Sequence, residues 1–438
     1  MNAIEAVNSA LTPLRDIEDS QPACDLIGDA ELALLGEASH GTHEFYAARA
    51  AITRKLIVES GFRAIAIEGD WPDAYRVNRY VQHRGPDRNA VEALSDFKRF
   101  PTWMWRNTVV VEFVEWLRDH NDGLPAEARV GFYGMDLYAL YASMRALLSY
   151  LDKLDPAAAA RARARFSCFE IYGDDSQAYG YGAASGMQSC EHEVVRQLIE
   201  LQRRAADYAS RDGRVARDEY FVAEQNARLI KDAEEYYRTM FRGGASSWNL
   251  RDRHMVGTID ALRARLTVDG GPPKIALWAH NSHLGDARAT EMGQRGELNV
   301  GQLIREQYGN RATLIGFTTS VGTVTAASDW DAPVELKRVR PALAGSYEHL
   351  FHDVSVPRFL LPLDVESVRT TLQTPLLERA IGVIYRPDTE RGSHYFQASL
   401  PHQFDAVLHF DHTTALRPLE TTADWTSGEV PETFPRGV

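Results

Sequence analysis

The chain has 438 residues, of which 44% are apolar and 25% charged. At about 100–200 residues per domain this length gives two to three domains, or one α/β domain with insertions, and the composition excludes a disordered, collagen-like or coiled-coil protein. Asp plus Glu number 61 against 48 Lys plus Arg, a net charge of −13, which argues against a general nucleic-acid binder or a basic membrane-surface protein.

The N-terminal stretch MNAIEAVNSALTPLRDIEDS lacks a basic segment followed by an apolar core, so no signal peptide is expected. No run approaches the roughly 18 apolar residues of a membrane span. The cysteines, Cys24, Cys168 and Cys190, are odd in number and show no C-x-x-C spacing. A disulfide framework is therefore not expected, and a reducing cytoplasm fits.

The first strong element is ELALLG (31–36), an apolar run closed by Gly36 that reads as a buried strand. Helical periodicity follows from His43 to Ser60, with Gly61 as the stop. RAIAIEGD (63–70) is a second buried strand, so the first two form a βαβ unit and run parallel. RVGFYGMD (129–136), KIALWAHNS (274–282) and ATLIGFTT (312–319) are further strands. The fold class expected is α/β: a mostly parallel central sheet flanked by helices, with a large helical insertion.

Residues 141–265 form that insertion, expected as a lid or cleft wall between core segments 1–140 and 266–420. The Gly/Tyr-rich stretch 172–186 within it reads as a loop. Short strands return at RFLLPL (358–363), IGVIYR (381–386) and DAVLHFD (405–411), and 421–438 reads as a surface tail.

Ligands of open α/β sheets bind beyond the carboxyl ends of the strands. Four runs end in ionisable groups: Glu37 and His40, then Glu68, then Asp136, then His280 and His283. Glu37 and His40 are three apart, a spacing that puts both on one face. A carboxylate beside an imidazole fixes its tautomer and raises its basicity, which is a general-base arrangement. The structural alternative is a capping role for Glu37. Arg49 falls on the apolar stripe of Phe45, Ile52 and Leu56 and needs a buried partner, for which Glu37 and Glu68 are candidates. The alternative is a guanidinium that snorkels past the helix edge.

Residues 31–40 and 274–283 align with four identities, Ala33/Ala276, Leu34/Leu277, Ser39/Ser282 and His40/His283, and Glu37 stands opposite His280. Trp103 and Trp105 either floor a substrate pocket or belong to the core. Asn249 reads as an N-cap, and Arg251 and Asp252 either reach the site or pair structurally, with the structural pair favoured. No G-x-S-x-G, H-E-x-x-H, P-loop or G-x-G-x-x-G occurs. A site of His and Glu without a covalent nucleophile points to water activated by His40, with His280, His283 or Arg49 at the developing oxyanion. A divalent metal on the same residues is the competing reading, and Arg49 speaks mildly against it. A non-enzymatic small-molecule binder is the third.

The blocks LLGEASHGTHEF, AIAIEGDWPDA, FPTWMWRN, GFYGMDLY and WAHNSHLGD resemble, in order, those of the erythromycin esterase family, over roughly residues 30–320. The resemblance implies a carboxylic ester hydrolase that uses a histidine base. Members with known activity open the macrolactone of 14-membered macrolides, and others are labelled succinoglycan biosynthesis proteins. It assigns catalytic roles to Glu37, His40, Arg49, Glu68 and His280. It leaves His283, Asp136, Trp103 and Trp105 as substrate contacts. It implies no metal or other cofactor and a small-molecule ester as partner; with the composition, no nucleic acid or membrane partner, a cytoplasmic location and a monomer or homodimer are expected.

Overall fold

A computed structural model describes residues 2–210, 213–241, 243–267, 271–422 and 425–426. Its strands are β1 (Thr12–Pro13), β2 (Leu32–Leu35), β3 (Phe62–Asp70), β4 (Gly131–Asp136), β5 (Lys274–Trp278), β6 (Ala312–Ala327), β7 (Val334–Val339), β8 (Arg358–Pro362), β9 (Leu376–Arg379), β10 (Tyr395–Ala398) and β11 (Ala406–Thr413). Nine form one sheet in the order β1-β8-β11-β6-β2-β5-β3-β4, with β7 beside β6, while β9 and β10 pair separately. The six strands from β11 to β4 are mutually parallel, and β1, β7 and β8 join antiparallel.

The apolar runs read as continuous because both faces of the sheet are covered. Leu32, Leu34, Ala64, Ala66, Ile275 and Leu277 point into one core, with Leu140, Met255, Ile259 and Ile304 from the helices above. Ala33, Leu35, Ile65, Ile67, Ala276 and Trp278 point into the other, against Phe45, Ile52, Leu56, Val77 and Phe113. The helix His43–Ser60 has the bounds its periodicity gives, and Gly61 ends it at φ 72°. Among the described residues no helix is long and apolar enough to cross a membrane.

Several expectations need correction. The Gly/Tyr stretch is largely a helix, Ser176–Ala184, capped by the Asp175 carboxylate, which accepts from the N–H groups of Gln177 and Ala178. A Cβ at Gly180 would overlap the Tyr237 carbonyl, so the glycine serves close helix packing rather than a turn. Cys168 and Cys190 form a disulfide, with Cα atoms 6.0 Å apart. The insertion brings the two together across 22 residues, so the cysteine argument for a reducing compartment does not hold. Segment 381–386 forms only single bridges, Ser39–Ile381 and Ala327–Ile384. Asn249 lies inside the helix Ser246–Leu266, where its side chain accepts from Leu298 N–H and donates to the Gly296 carbonyl. β6 continues past the expected 312–319 as far as Ala327, and Ser320 and Thr325 on the added stretch are buried. The expected tail lies mostly outside the described residues (423–424 and 427–438).

Candidate active site

β2, β5, β3 and β4 are neighbours in the sheet, so their carboxyl ends bring Glu37 and His40, His280, Glu68 and Asp136 to one crevice. The loop after β2 is clamped from three sides. Asn281 N–H donates to the Glu37 carbonyl at 2.8 Å, and Thr325 and Leu416 donate to the Gly41 carbonyl at 3.0 and 2.8 Å. A Cβ at Gly41 would overlap the Thr325 carbonyl, and only glycine permits the approach. The segment that fails to form a strand does work here: Ile381 N–H donates to the Ala38 carbonyl at 2.8 Å, and His40 N–H donates to the Ile381 carbonyl at 3.2 Å.

Glu37 is buried and its two oxygens are divided. Oε1 lies 2.9 Å from His40 Nδ1, and Oε2 accepts from Arg49 Nη2 at 2.7 Å. The carboxylate places the His40 proton on Nδ1 and leaves Nε2 as an acceptor. Arg49 is fully buried, with its guanidinium 4.3 Å from the Tyr46 ring centroid and 5.3 Å from that of Trp278. Of the two partners expected for it, Glu37 is the one it meets.

His280 lies beside His40, their ring centroids 4.9 Å apart. Its Nδ1 accepts from Ser282 N–H at 3.2 Å and sits 2.9 Å from Ser282 Oγ, so the proton of the neutral ring is on Nε2. That Nε2–H is buried with no well-formed hydrogen bond. Burial, with the neighbouring His40 and His283, lowers the His280 pKa to about 3, against Glu68 and the Ala38 carbonyl. The pair thus has an acceptor nitrogen on His40, which lines the cavity, and a donor nitrogen on His280, which stands behind it.

Glu68 Oε2 accepts from His280 N–H at 2.8 Å and Oε1 accepts from Arg251 at 2.8 Å. Burial opposes its charge, yet His283 and His40, when they carry a proton, and the Arg251 guanidinium hold it well below the usual carboxylate range. Arg251 also grips Asp136 with two bonds of 2.9 and 2.6 Å and stands over Tyr138, 4.8 Å from the ring centroid. Of the two readings of Arg251 and Asp252 from sequence, a structural pair or a reach into the site, the less favoured one fits Arg251. The structure sets them apart: Arg251 joins the ends of β3 and β4, and Asp252 holds His283 Nδ1 at 2.9 Å.

Burial disfavours a charge on His283, but Asp252 and Glu68 overcome it and raise its pKa to about 9. The contact on the other nitrogen favours the neutral ring, since Arg251 Nη1 lies 2.9 Å from Nε2 and two N–H donors do not face each other at that distance. We assign the neutral tautomer, with Nδ1–H on Asp252 and Nε2 accepting from Arg251. Stacked 4.4 Å from Trp248 and almost wholly buried, His283 backs the site rather than lining it.

A cavity of about 230 Å³ opens in front of His40, lined by Glu68, Asp70, Asp136, Tyr138, Arg251 and Trp105 among others. Trp105 donates its indole N–H to the Glu68 carbonyl at 3.1 Å. Trp103 is buried in the core and does not line the cavity. Among the described residues no group of three or more His, Cys, Asp or Glu side chains is placed to hold a metal ion. The Arg251 guanidinium stands between Glu68, Asp136 and His283 and supplies the counter-charge of the two carboxylates.

The family model described as erythromycin esterase matches residues 57–413. The chain belongs to the erythromycin esterase family. It is an enzyme of the esterase class. The matched span takes in Glu68, Asp136, Arg251, His280 and His283 and begins after Glu37, His40 and Arg49. Erythromycin esterase type II of Escherichia coli is 21% identical over 326 residues, which cover 72% of this chain and 75% of the relative. Erythromycin esterase type I of the same organism is 23% identical over 329 residues, covering 69% and 73%. A mutant of the erythromycin esterase EreC, solved in its open conformation, superposes with a TM-score of 0.69 at 19% identity, over 94% of this chain and all of that one. The last likeness establishes the family fold.

Proposed function

We propose that the protein hydrolyses a carboxylic ester, with the macrolactone of 14-membered macrolides as first candidate, by direct attack of a water activated at His40. The carrying observation is the Glu37–His40 contact of 2.9 Å on the wall of the cavity. Glu37 keeps Nε2 unprotonated, and Arg49 holds Glu37 in place from behind. A water that donates to His40 Nε2 loses its proton there as it attacks the ester carbonyl. In this reading the buried His280 Nε2–H, which lies by the Ala38 carbonyl and does not line the cavity in this structure, turns to the developing oxyanion. The same proton on His40 then passes to the leaving alkoxide. Glu68 and Arg251 orient His280 and keep the charge of the crevice fixed. No serine or cysteine enters the steps.

The insertion, residues 141–265, is the wall that admits the substrate in this reading. Tyr141, Arg145, Ser176 and Tyr237 line an outer hollow of about 630 Å³ that shares Asp73, Arg99, Phe100 and Tyr138 with the inner cavity. A bulky ester fits such a two-part cleft. The test is mass spectrometry of erythromycin incubated with the purified protein. A gain of one water supports macrolide cleavage. No change with erythromycin, but cleavage of other bulky esters, retains the chemistry and removes the macrolide.

A further inference from the structure

A separate hollow lies at the other end of the sheet from the candidate active site, beside the edge strand β4. Arg63 stands near the amino end of β3 and Arg129 just before β4. Arg63 precedes Glu68 by five residues, roughly 17 Å at a strand rise of about 3.3 Å per residue. The insertion helix Gly213–Met240 and the core helix Trp71–Val81 close the hollow, which holds about 300 Å³. Five guanidiniums line it, those of Arg63, Arg84, Arg129, Arg217 and Arg265, against the carboxylates of Glu127 and Asp218. In a chain of net charge −13 this is a local inversion of sign. Asp218 is shared between two of them: Oδ2 accepts from Arg84 Nη1 at 2.9 Å, and Oδ1 accepts from Arg265 Nη2. Arg63 and Arg129 are held by backbone oxygens instead. Arg63 donates to the Glu127 carbonyl, and Arg129 donates to the carbonyls of Gln82 and Leu124 at 2.6 and 3.2 Å. Arg63 Nε is buried with no well-formed hydrogen bond. Tyr75, Tyr133 and Phe221 form an apolar wall, each ring packed on the buried Trp71 at centroid distances of 6.2, 5.8 and 5.8 Å.

We propose that this hollow binds a small phosphorylated molecule with an aromatic or apolar body, between the core and the insertion. The site is distinct from the ester-hydrolase centre and does not depend on that reading. Arginines fixed by carbonyl oxygens keep their full charge and are already in place, so a phosphate dianion gains charge-assisted bonds without rearranging them. Five like charges around one hollow repel each other, two carboxylates offset only part of that, and a dianion relieves the rest. The enclosed volume suits a small molecule rather than an extended polymer, and the three rings take the body of the ligand. The same insertion helix that brings Arg217, Asp218 and Phe221 here carries Tyr237 to the outer hollow of the substrate cleft. A ligand in this hollow therefore fastens to the core the helix that walls the cleft.

Calorimetric titrations of phenyl phosphate, inorganic phosphate and phenol test the site on wild type, Arg63→Gln, Arg217→Ala and Arg253→Ala. Arg253 is an exposed arginine that lines a different hollow of the insertion and serves as the control. Melting temperatures confirm that each variant is folded, and the change at the exposed Arg217 keeps the test open if Arg63→Gln is not. Phenyl phosphate is expected to saturate one site on wild type, about tenfold tighter than inorganic phosphate because the ring is buried as well, with no measurable binding of phenol. Arg63→Gln and Arg217→Ala each weaken phenyl phosphate about tenfold, the loss of one charge-assisted contact, and Arg253→Ala leaves it unchanged. No saturable binding, equal binding of the two phosphates, an unchanged affinity in both Arg63→Gln and Arg217→Ala, or an equal loss in Arg253→Ala overturns the proposal.

Discussion

Replacing Arg251 with Met isolates the electrostatic frame of the site. The guanidinium makes three bonds to carboxylates, at 2.9 and 2.6 Å to Asp136 and 2.8 Å to Glu68, and a fourth contact of 2.9 Å to His283. Met fills much of the volume but leaves Glu68 and Asp136 buried without a cation. Breaking a buried pair by removing one partner costs about 3–5 kcal/mol, and the bidentate grip on Asp136 places this site in the upper part of that range. The loss depends on pH in a definite direction. Without the arginine, both carboxyls hold protons more tightly folded than unfolded. The variant's deficit is then smallest below the unfolded carboxyl range, near pH 4, and grows as pH rises above it. Urea unfolding of wild type and variant at pH 5 and pH 8, compared at each pH, reads the difference. A deficit under about 1 kcal/mol, or one of equal size at both pH values, refutes the assignment of Arg251 as the counter-ion of the crevice.

Other perturbations act on the acceptor and donor nitrogens. Glu37→Gln removes the charge that sets the His40 tautomer and unpairs Arg49, and kcat is expected to fall by about 10²–10⁴ with little change in KM; an unchanged kcat contradicts the tautomer argument. His280→Phe removes the donor and should lower kcat by about 10²–10³, measured on any ester the wild type cleaves. The depressed pKa of His280, about 3, means that the folded state resists a proton the unfolded chain accepts near 6.5, so stability is lost as pH falls between those values. The loss amounts to at most about 1.4 kcal/mol per pH unit, and His280→Phe should flatten it in denaturation curves taken from pH 7 to pH 4. Gly41→Ala forces a Cβ against the Thr325 carbonyl and is expected to cost about 1–3 kcal/mol and to displace His40, with activity and melting temperature falling together.

Much of this arrangement is legible in the sequence, for a physical reason. Strands covered on both faces must be apolar throughout, so the first ionisable residue after each run marks a strand end. The alignment of 31–40 with 274–283 anticipates the sheet register, since β2 and β5 pair Ala33 with Ala276 and Leu34 with Leu277. It fails one step later. His283 is the sequence equivalent of His40, but residue 281 begins a short helix that turns His283 away toward Asp252, and His280 meets His40 instead. Arg251 is hidden because its partners are 115 and 183 residues away along the chain. The available signal is its stripe: Arg251 and Asp252 continue the buried line of Met255, Ile259 and Leu262, and charges on such a line need partners. The disulfide and the helix at Ser176–Ala184 depend on packing within the insertion, which local spacing does not encode.

The central claim is that His40 takes the proton from the attacking water. The most direct measurement is kcat for His40→Ala against wild type on one cleaved ester, with the melting temperature of both recorded. The account predicts a fall of about 10²–10⁴ in kcat with melting unchanged. Hydrolysis at a near wild-type rate by a folded His40→Ala protein would contradict it.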